Sequence, residues 1–163
     1  MKKRNVVLLF GAGALVVLWA AFRPEKLFIN HSVNESLPIA ASVSASVAAP
    51  KALVASQFHN VLHEGQGTAT ILQLPDGKKV LRLTHFQTSN GPDLQVYLVA
   101  AKDAADNDTV TKSSFLPIAA LKGNEGDQNY DVPSDADLAK YQSVTIWCRR
   151  FGFNFATAPL VQQ

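Results

Sequence analysis

Ser143-Val144-Thr145-Ile146-Trp147-Cys148, then Arg149-Arg150, then Phe151-Gly152-Phe153-Asn154-Phe155-Ala156 is the stretch that decides the fold. β-Branched and aromatic residues favour a pleated strand, and both runs consist largely of them. Alternation sets Val144, Ile146 and Cys148 on one face of the first run and Thr145, Trp147 and Arg149 on the other. The two runs form the last strand pair of a β domain.

The same pattern extends upstream. Thr68–Leu74 and Lys78–Phe86 flank Pro75-Asp76-Gly77, in which Pro presets φ and Gly supplies a positive φ, so the spacing predicts a hairpin. Asn90-Gly91-Pro92-Asp93 is a second turn, before Leu94–Val99. Asp103–Thr109 reads as a polar loop, Leu116–Leu121 and Gln128–Val132 as two weaker strands, and Asp135–Tyr141 as one helical turn with Ser134 as N-cap. Seven strands over about 100 residues imply an all-β domain, a single antiparallel sandwich or barrel. Phe86, Phe115, Trp147, Phe151, Phe153 and Phe155 are expected as core or half-buried packing residues.

A chain of 163 residues suggests one domain with an attached segment. Its net charge of +2 is uneven. Lys2, Lys3, Arg4, Arg23 and Lys26 oppose only Glu25 near the start, whereas residues 57–163 carry more Asp and Glu than Lys and Arg. The β domain thus lacks a cationic surface for phosphate, which argues against nucleic-acid binding. No phosphate loop, G-x-S-x-G, C-x-x-C or H-E-x-x-H occurs, so nucleotide binding and familiar hydrolytic chemistry have no support.

Val6–Phe22 is free of charge, follows Lys2-Lys3-Arg4, and ends with Trp19 and Phe22 at its far side. This predicts a transmembrane signal-anchor helix over 6–22, a cytoplasmic tail over 1–5, and everything after Arg23 outside the cytoplasm. A cleaved export signal is the alternative, although no good A-x-A site follows the run. Residues 23–56, rich in Ala, Ser and Val, read as a flexible linker, and 57–163 as the β domain. Asn34-Glu35-Ser36 and Asn107-Asp108-Thr109 match the glycosylation sequon, which matters only in a host that uses it.

Cys148 is the single cysteine. Outside the cytoplasm an unpaired cysteine suggests a reactive thiol, an intermolecular bridge or a cofactor ligand, while its place on the strand also suits a small buried core residue. Arg149 and Arg150 would lower its pKa if they approached the sulfur. His59 and His63 are four residues apart, a metal-ligand spacing only on a helix and without a third ligand. Asp103, Asp106 and Asp108 lack the rhythm of a calcium loop.

Several segments, in order, resemble the DM13 domain family: His63 leading to Gly67-Thr68-Ala69-Thr70-Ile71, Leu81–Phe86, Gly91–Leu98, Leu121–Pro133, and most strongly Leu138–Cys148 with Phe151, Phe153, Phe155, Ala156 and Leu160 after it. The resemblance covers about residues 57–163. It implies an extracytoplasmic β domain whose characteristic cysteine, here Cys148, takes part in electron transfer as a bare thiol or through a group such as haem. With haem bound, thiolate ligation by Cys148 with His63 or His85 opposite would be chemically reasonable. His85 departs from the family, in which an acidic residue usually precedes the Phe. Met1 is the only methionine and C-x-x-C-H is absent, so Cys/Met ligation and covalent c-type haem are excluded. The expected partners are the membrane and an unidentified redox or envelope protein. The competing reading is a non-catalytic surface binding module with Cys148 packed inside.

Overall fold

The computed structural model describes residues 13, 16, 17, 19, 20, 29–38 and 49–160. Gly13, Val16, Val17, Trp19 and Ala20 are helical. The rest of the expected span over 6–22, the tail over 1–5, and residues 23–28 and 39–48 of the expected linker lie outside the described residues. Among the described residues no helix is long and apolar enough to cross a membrane.

The elements are β1 (Ser32–Asn34), β2 (Lys51–Gln57), β3 (His59–Asn60), β4 (Gly65–Gln73), β5 (Lys79–Thr88), β6 (Leu94–Val99), α1 (Asn107–Lys112), β7 (Phe115–Ala120), β8 (Glu125–Val132), β9 (Ser143–Cys148) and β10 (Phe153–Pro159). They form two five-stranded sheets, ordered β1-β8-β5-β4-β2 and β3-β10-β9-β6-β7. The sheets share one core, with Ile71, Leu81 and Leu83 from the first and Val96, Leu98, Val144 and Ile146 from the second. This is the all-β sandwich expected from the sequence, with corrections.

The pairing is not wholly antiparallel, because β1 runs parallel to β8, with Ser32 opposite Glu125. β1, and β2 up to Ser56, lie in the stretch expected to be a flexible linker. β2 pairs with β4 and buries Val54. β1 is held by side chains as well as by its ladder. Arg82 donates to the Glu35 carbonyl (3.1 Å), Lys122 Nζ to Glu35 Oε1 (2.8 Å), and Asn129 N–H to Glu35 Oε2 (2.8 Å).

The expected polar loop 103–109 contains the start of α1, which Asp106 caps by accepting from Thr109 N–H at 2.6 Å. The helical turn expected over 135–141 is instead a pair of turns, with Asp137 rather than Ser134 accepting from Ala139 N–H (2.9 Å). The last strand starts at Phe153 rather than Phe151, and Phe115, Phe151 and Phe153 stand exposed, Phe115 with its ring stacked on Tyr97.

β6 and β9 are buried along their whole lengths because the second sheet is covered on both faces. Its outer side holds a smaller cluster of Tyr97, Val99, Ala104, Val110 and Trp147 beneath the 101–112 segment. The strand directions define two ends. Arg149 N–H donates to Asp93 O (3.0 Å), Leu62 N–H to Asn154 O (3.2 Å), and Thr88 Oγ1 to Glu64 O (2.8 Å), gathering these turns at the Cys148 end. The Pro75–Gly77 turn lies at the other.

Candidate functional site

Cys148 is the last residue of β9, opposite Leu94 on β6 and Phe153 on β10. Its side chain is 0% exposed and packs into the core cluster with Ile146 and Phe155, on the face that alternation assigned to it. Directly after it the chain turns. Gly152 N–H donates to the Cys148 carbonyl at 2.9 Å, with Arg149, Arg150 and Phe151 exposed between. Gly152 adopts φ +69°, which closes this turn at little steric cost. The thiol is therefore enclosed but only one residue from a surface turn. Arg149 is committed to Asp93, its Nε donating to Oδ2 at 2.9 Å, so its charge is compensated away from the core.

β10 carries a bulge between Asn154 and Ala156. It lets Phe155 and Ala156 both face the core, while Asn154 and Thr157 face the outer cluster. His63 packs on the Phe155 ring, with centroids 4.0 Å apart, and its N–H donates to the Phe155 carbonyl (3.1 Å). Through Phe155 the structure brings His63 to the same end of the core as Cys148.

His85 is placed differently. It is the bulge residue of β5, with φ +49°, a side chain in solvent and its backbone N–H donated to Asp127 Oδ1 at 2.8 Å. Asp, Asn and His enter this left-handed backbone region more readily than other non-glycine residues, so an acidic residue and His are alike suited to the position. Gly67 faces the bulge from β4, and a Cβ there would stand 2.6 Å from the His85 carbonyl.

These positions do not fit haem ligation. Cys148 is sealed inside the sandwich, His85 points into solvent from the other sheet, and none of Cys148, His63 and His85 lines the cleft between the 90–95 and 120–124 segments. Among the described residues no three His, Cys, Asp or Glu side chains group as metal ligands. His59 binds Asp103 instead, Nε2 to Oδ1 at 2.8 Å, and its other nitrogen meets the Asn60 carbonyl at 3.0 Å. Burial pulls the His59 pKa down, but these two acceptors outweigh it and hold the group above its ordinary value. Asp103, Asp106 and Asp108 thus divide between an ion pair, a helix cap and a contact to Lys112 (2.6 Å).

Sequence reasoning missed two features. A cleft of about 550 Å³ opens at the Cys148 end, lined by Ile29, His31, the Asn90–Gln95 segment and Ala120–Asn124. Leu94, which lines it, is the cross-strand neighbour of Cys148. The turn Asn90-Gly91-Pro92-Asp93 was the available signal for one wall, whereas Ile29 and His31 lay in the presumed linker. The second feature is a buried polar cluster beside Trp147. Asn154 Nδ2 donates to the Ala104 carbonyl (2.6 Å), and Thr157 Oγ1 donates to the same carbonyl (3.0 Å) and meets Thr145 Oγ1 (3.1 Å). Among the described residues Asn154 Oδ1 and Ser143 Oγ are buried without a partner.

No curated protein and no solved structure matches this chain. A family model described as "Electron transfer DM13" matches residues 57–160, which holds Cys148 and nine of the ten strands wholly or in part. On that match, spanning well over half of its length, the chain belongs to the DM13 family.

Proposed function

We propose that this chain is a membrane-anchored, extracytoplasmic DM13 domain with a redox role, in which Cys148 is the group that exchanges electrons. The observation that supports the reading is the placement of the domain's only sulfur at the end of a central strand beside an exposed turn. One cysteine per chain makes the exchange intermolecular. The Cys148 thiolate attacks a disulfide on a partner molecule, the partner's S–S bond breaks as a mixed disulfide forms, and the partner's second sulfur leaves as a thiolate. The chain supplies no resolving thiol, so a second thiol from outside releases Cys148 again. No bound prosthetic group is needed. The apolar run after Lys2-Lys3-Arg4 supports the anchor with its N-terminus in the cytoplasm, and export with signal cleavage is the alternative.

Burial makes access the controlling step. The sulfur meets a partner only when the 149–152 turn leaves Asp93 and the end of the β9–β10 hairpin opens, a local event that costs less than global unfolding. A second reading, a binding module with Cys148 purely as packing, is favoured by the 0% exposure of that side chain.

Maleimide labelling of the folded whole chain separates the two. A redox thiol is labelled faster than the domain globally unfolds, and Cys148→Ser loses exchange with an aromatic disulfide reagent. A packing thiol is labelled only at the global unfolding rate, which would remove the redox assignment. The purified chain is expected to be colourless; a dithionite-reducible visible band lost in Cys148→Ala would overturn the bare-thiol reading.

A further inference from the structure

We propose that the Cys148 end of the domain seats on the lipid bilayer, with Ile29, Leu62, Phe151 and Phe153 entering the interface. This rests on the reading of residues 6–22 as a membrane anchor and adds which face of the domain meets the membrane.

Two independent observations carry it. The first is covalent. Seven links join Phe22 to Ile29, a leash of about 25 Å at full stretch. The chain is fastened where that leash ends. The Asn90 side-chain amide donates to the Ile29 carbonyl, His31 N–H donates to Asn124 Oδ1 (2.7 Å), and β1 begins at Ser32. Asn90 and Asn124 lie at the Cys148 end, Asn124 accepting from Thr88 N–H (2.9 Å), so the domain hangs from the bilayer by that end.

The second is the character of the surface there. Ile29 is 63% exposed, Leu62 53%, Phe151 55% and Phe153 42%. Leu62 sits beside the start of β10 through its bond to the Asn154 carbonyl, and Phe151 and Phe153 flank Gly152 in the β9–β10 turn. Among the described residues of the sandwich the other exposed large apolar side chain is Phe115, whose ring stacks on Tyr97. Apolar side chains concentrated on one end mark an interaction surface. Aromatic rings favour the headgroup level of a membrane, and the short leash keeps that surface within reach. Arg149 beside the tip is paired with Asp93, which compensates its charge there.

The test uses the whole chain in vesicles of phosphatidylcholine and phosphatidylglycerol carrying nitroxide-labelled acyl chains. Phe151→Cys, Leu62→Cys and, at the opposite end, Lys78→Cys are each made with Cys148→Ala and labelled with bimane. Seating predicts blue-shifted emission quenched by lipid nitroxide at 151 and 62, with no change at 78. All three positions, being exposed, leave the fold undisturbed. Aqueous emission at 151 and 62, in a chain that resists carbonate extraction, overturns the seating and leaves the anchor standing. Blue-shifted emission that lipid nitroxide does not quench also overturns it, because protein then covers the patch. Release of the chain by carbonate removes the anchor and the seating together.

Discussion

Replacing Cys148 by alanine and by serine measures whether its site is as dry as the structure makes it. The sulfur is 0% exposed and lies in one cluster with Leu94, Ile146 and Phe155. Alanine removes one heavy atom from this cluster, costing about 1 kcal/mol in lost transfer energy and residual cavity. Serine preserves the shape but brings a hydroxyl into apolar surroundings, and an unsatisfied buried hydroxyl costs roughly 1–3 kcal/mol. The serine variant is therefore expected to fall below the alanine variant, and both below the parent. Each kcal/mol corresponds to about 4 °C or somewhat more in Tm for a domain near this size. Urea unfolding of the chain from Ile29 onward, followed by tryptophan fluorescence, gives the order of the midpoints, with unchanged slopes showing that stability alone moved. A serine variant as stable as the parent would refute the reasoning, since the position would then hold a polar partner or water. That result would also reopen the site as a solvated redox pocket.

Other perturbations probe the elements around the site. Gly126 has φ +97°, and a Cβ there would land on the Val33 carbonyl, so Gly126→Ala should cost about 1–2 kcal/mol in backbone strain and evict β1. Hydrogen exchange should show residues 32–36 losing protection while β5 and β9 keep theirs; retained protection in β1 would contradict the parallel pairing. His59 has its pKa raised in the fold, so its contribution is fully present below its ordinary value of 6.5 and is lost as pH rises through the raised one. Melting temperature against pH should show this loss in the parent and a flatter profile in Asp103→Asn. For Glu35, burial works against ionisation, but Lys122 and Asn129 hold its pKa below the ordinary 4.5. Its support of β1 is present above that value and disappears as pH falls through the lowered one, so β1 should exchange faster at strongly acidic pH, with Glu35→Gln fast at all pH values.

The parts of the fold that were legible are those where one side chain after another meets a buried surface. Leu94–Val99 and Ser143–Cys148 appear with the bounds read from their apolar content, and Pro75-Asp76-Gly77 turns between the strands it was expected to join. Pro117 in Phe115–Ala120 fits β7's place at the edge of its sheet, where a missing N–H costs no ladder bond. The failures have physical causes. β2 is an edge strand whose residues, apart from Val54, are only partly covered, so no alternation shows. β1 has three residues and owes its order to Arg82, Lys122 and Asn129, partners far along the chain. Bulges at His85 and Phe155 break the two-residue period, and Phe151 and Phe153 stand at the open end of the β9–β10 pair, so of these three Phe only Phe155 is buried. The position and face of Cys148 followed from alternation, whereas a shared ligand set with His63 and His85 depended on sheet topology that alternation does not contain.

The parallel strand also bears on the order in which the molecule assembles. Ser32 is paired with Glu125, so the first sheet cannot gain its outer edge until a segment more than 90 residues later has been made and placed. Hairpins such as β4–β5 and β9–β10 close over short loops and form early, while a three-residue contact at that separation carries the largest closure entropy for the smallest return. Docking of the N-terminal segment is therefore expected late in folding. The β1 segment is made first but has no β8 edge to pair with until residues 125–132 follow it, so it stays unpaired through most of the synthesis of the chain.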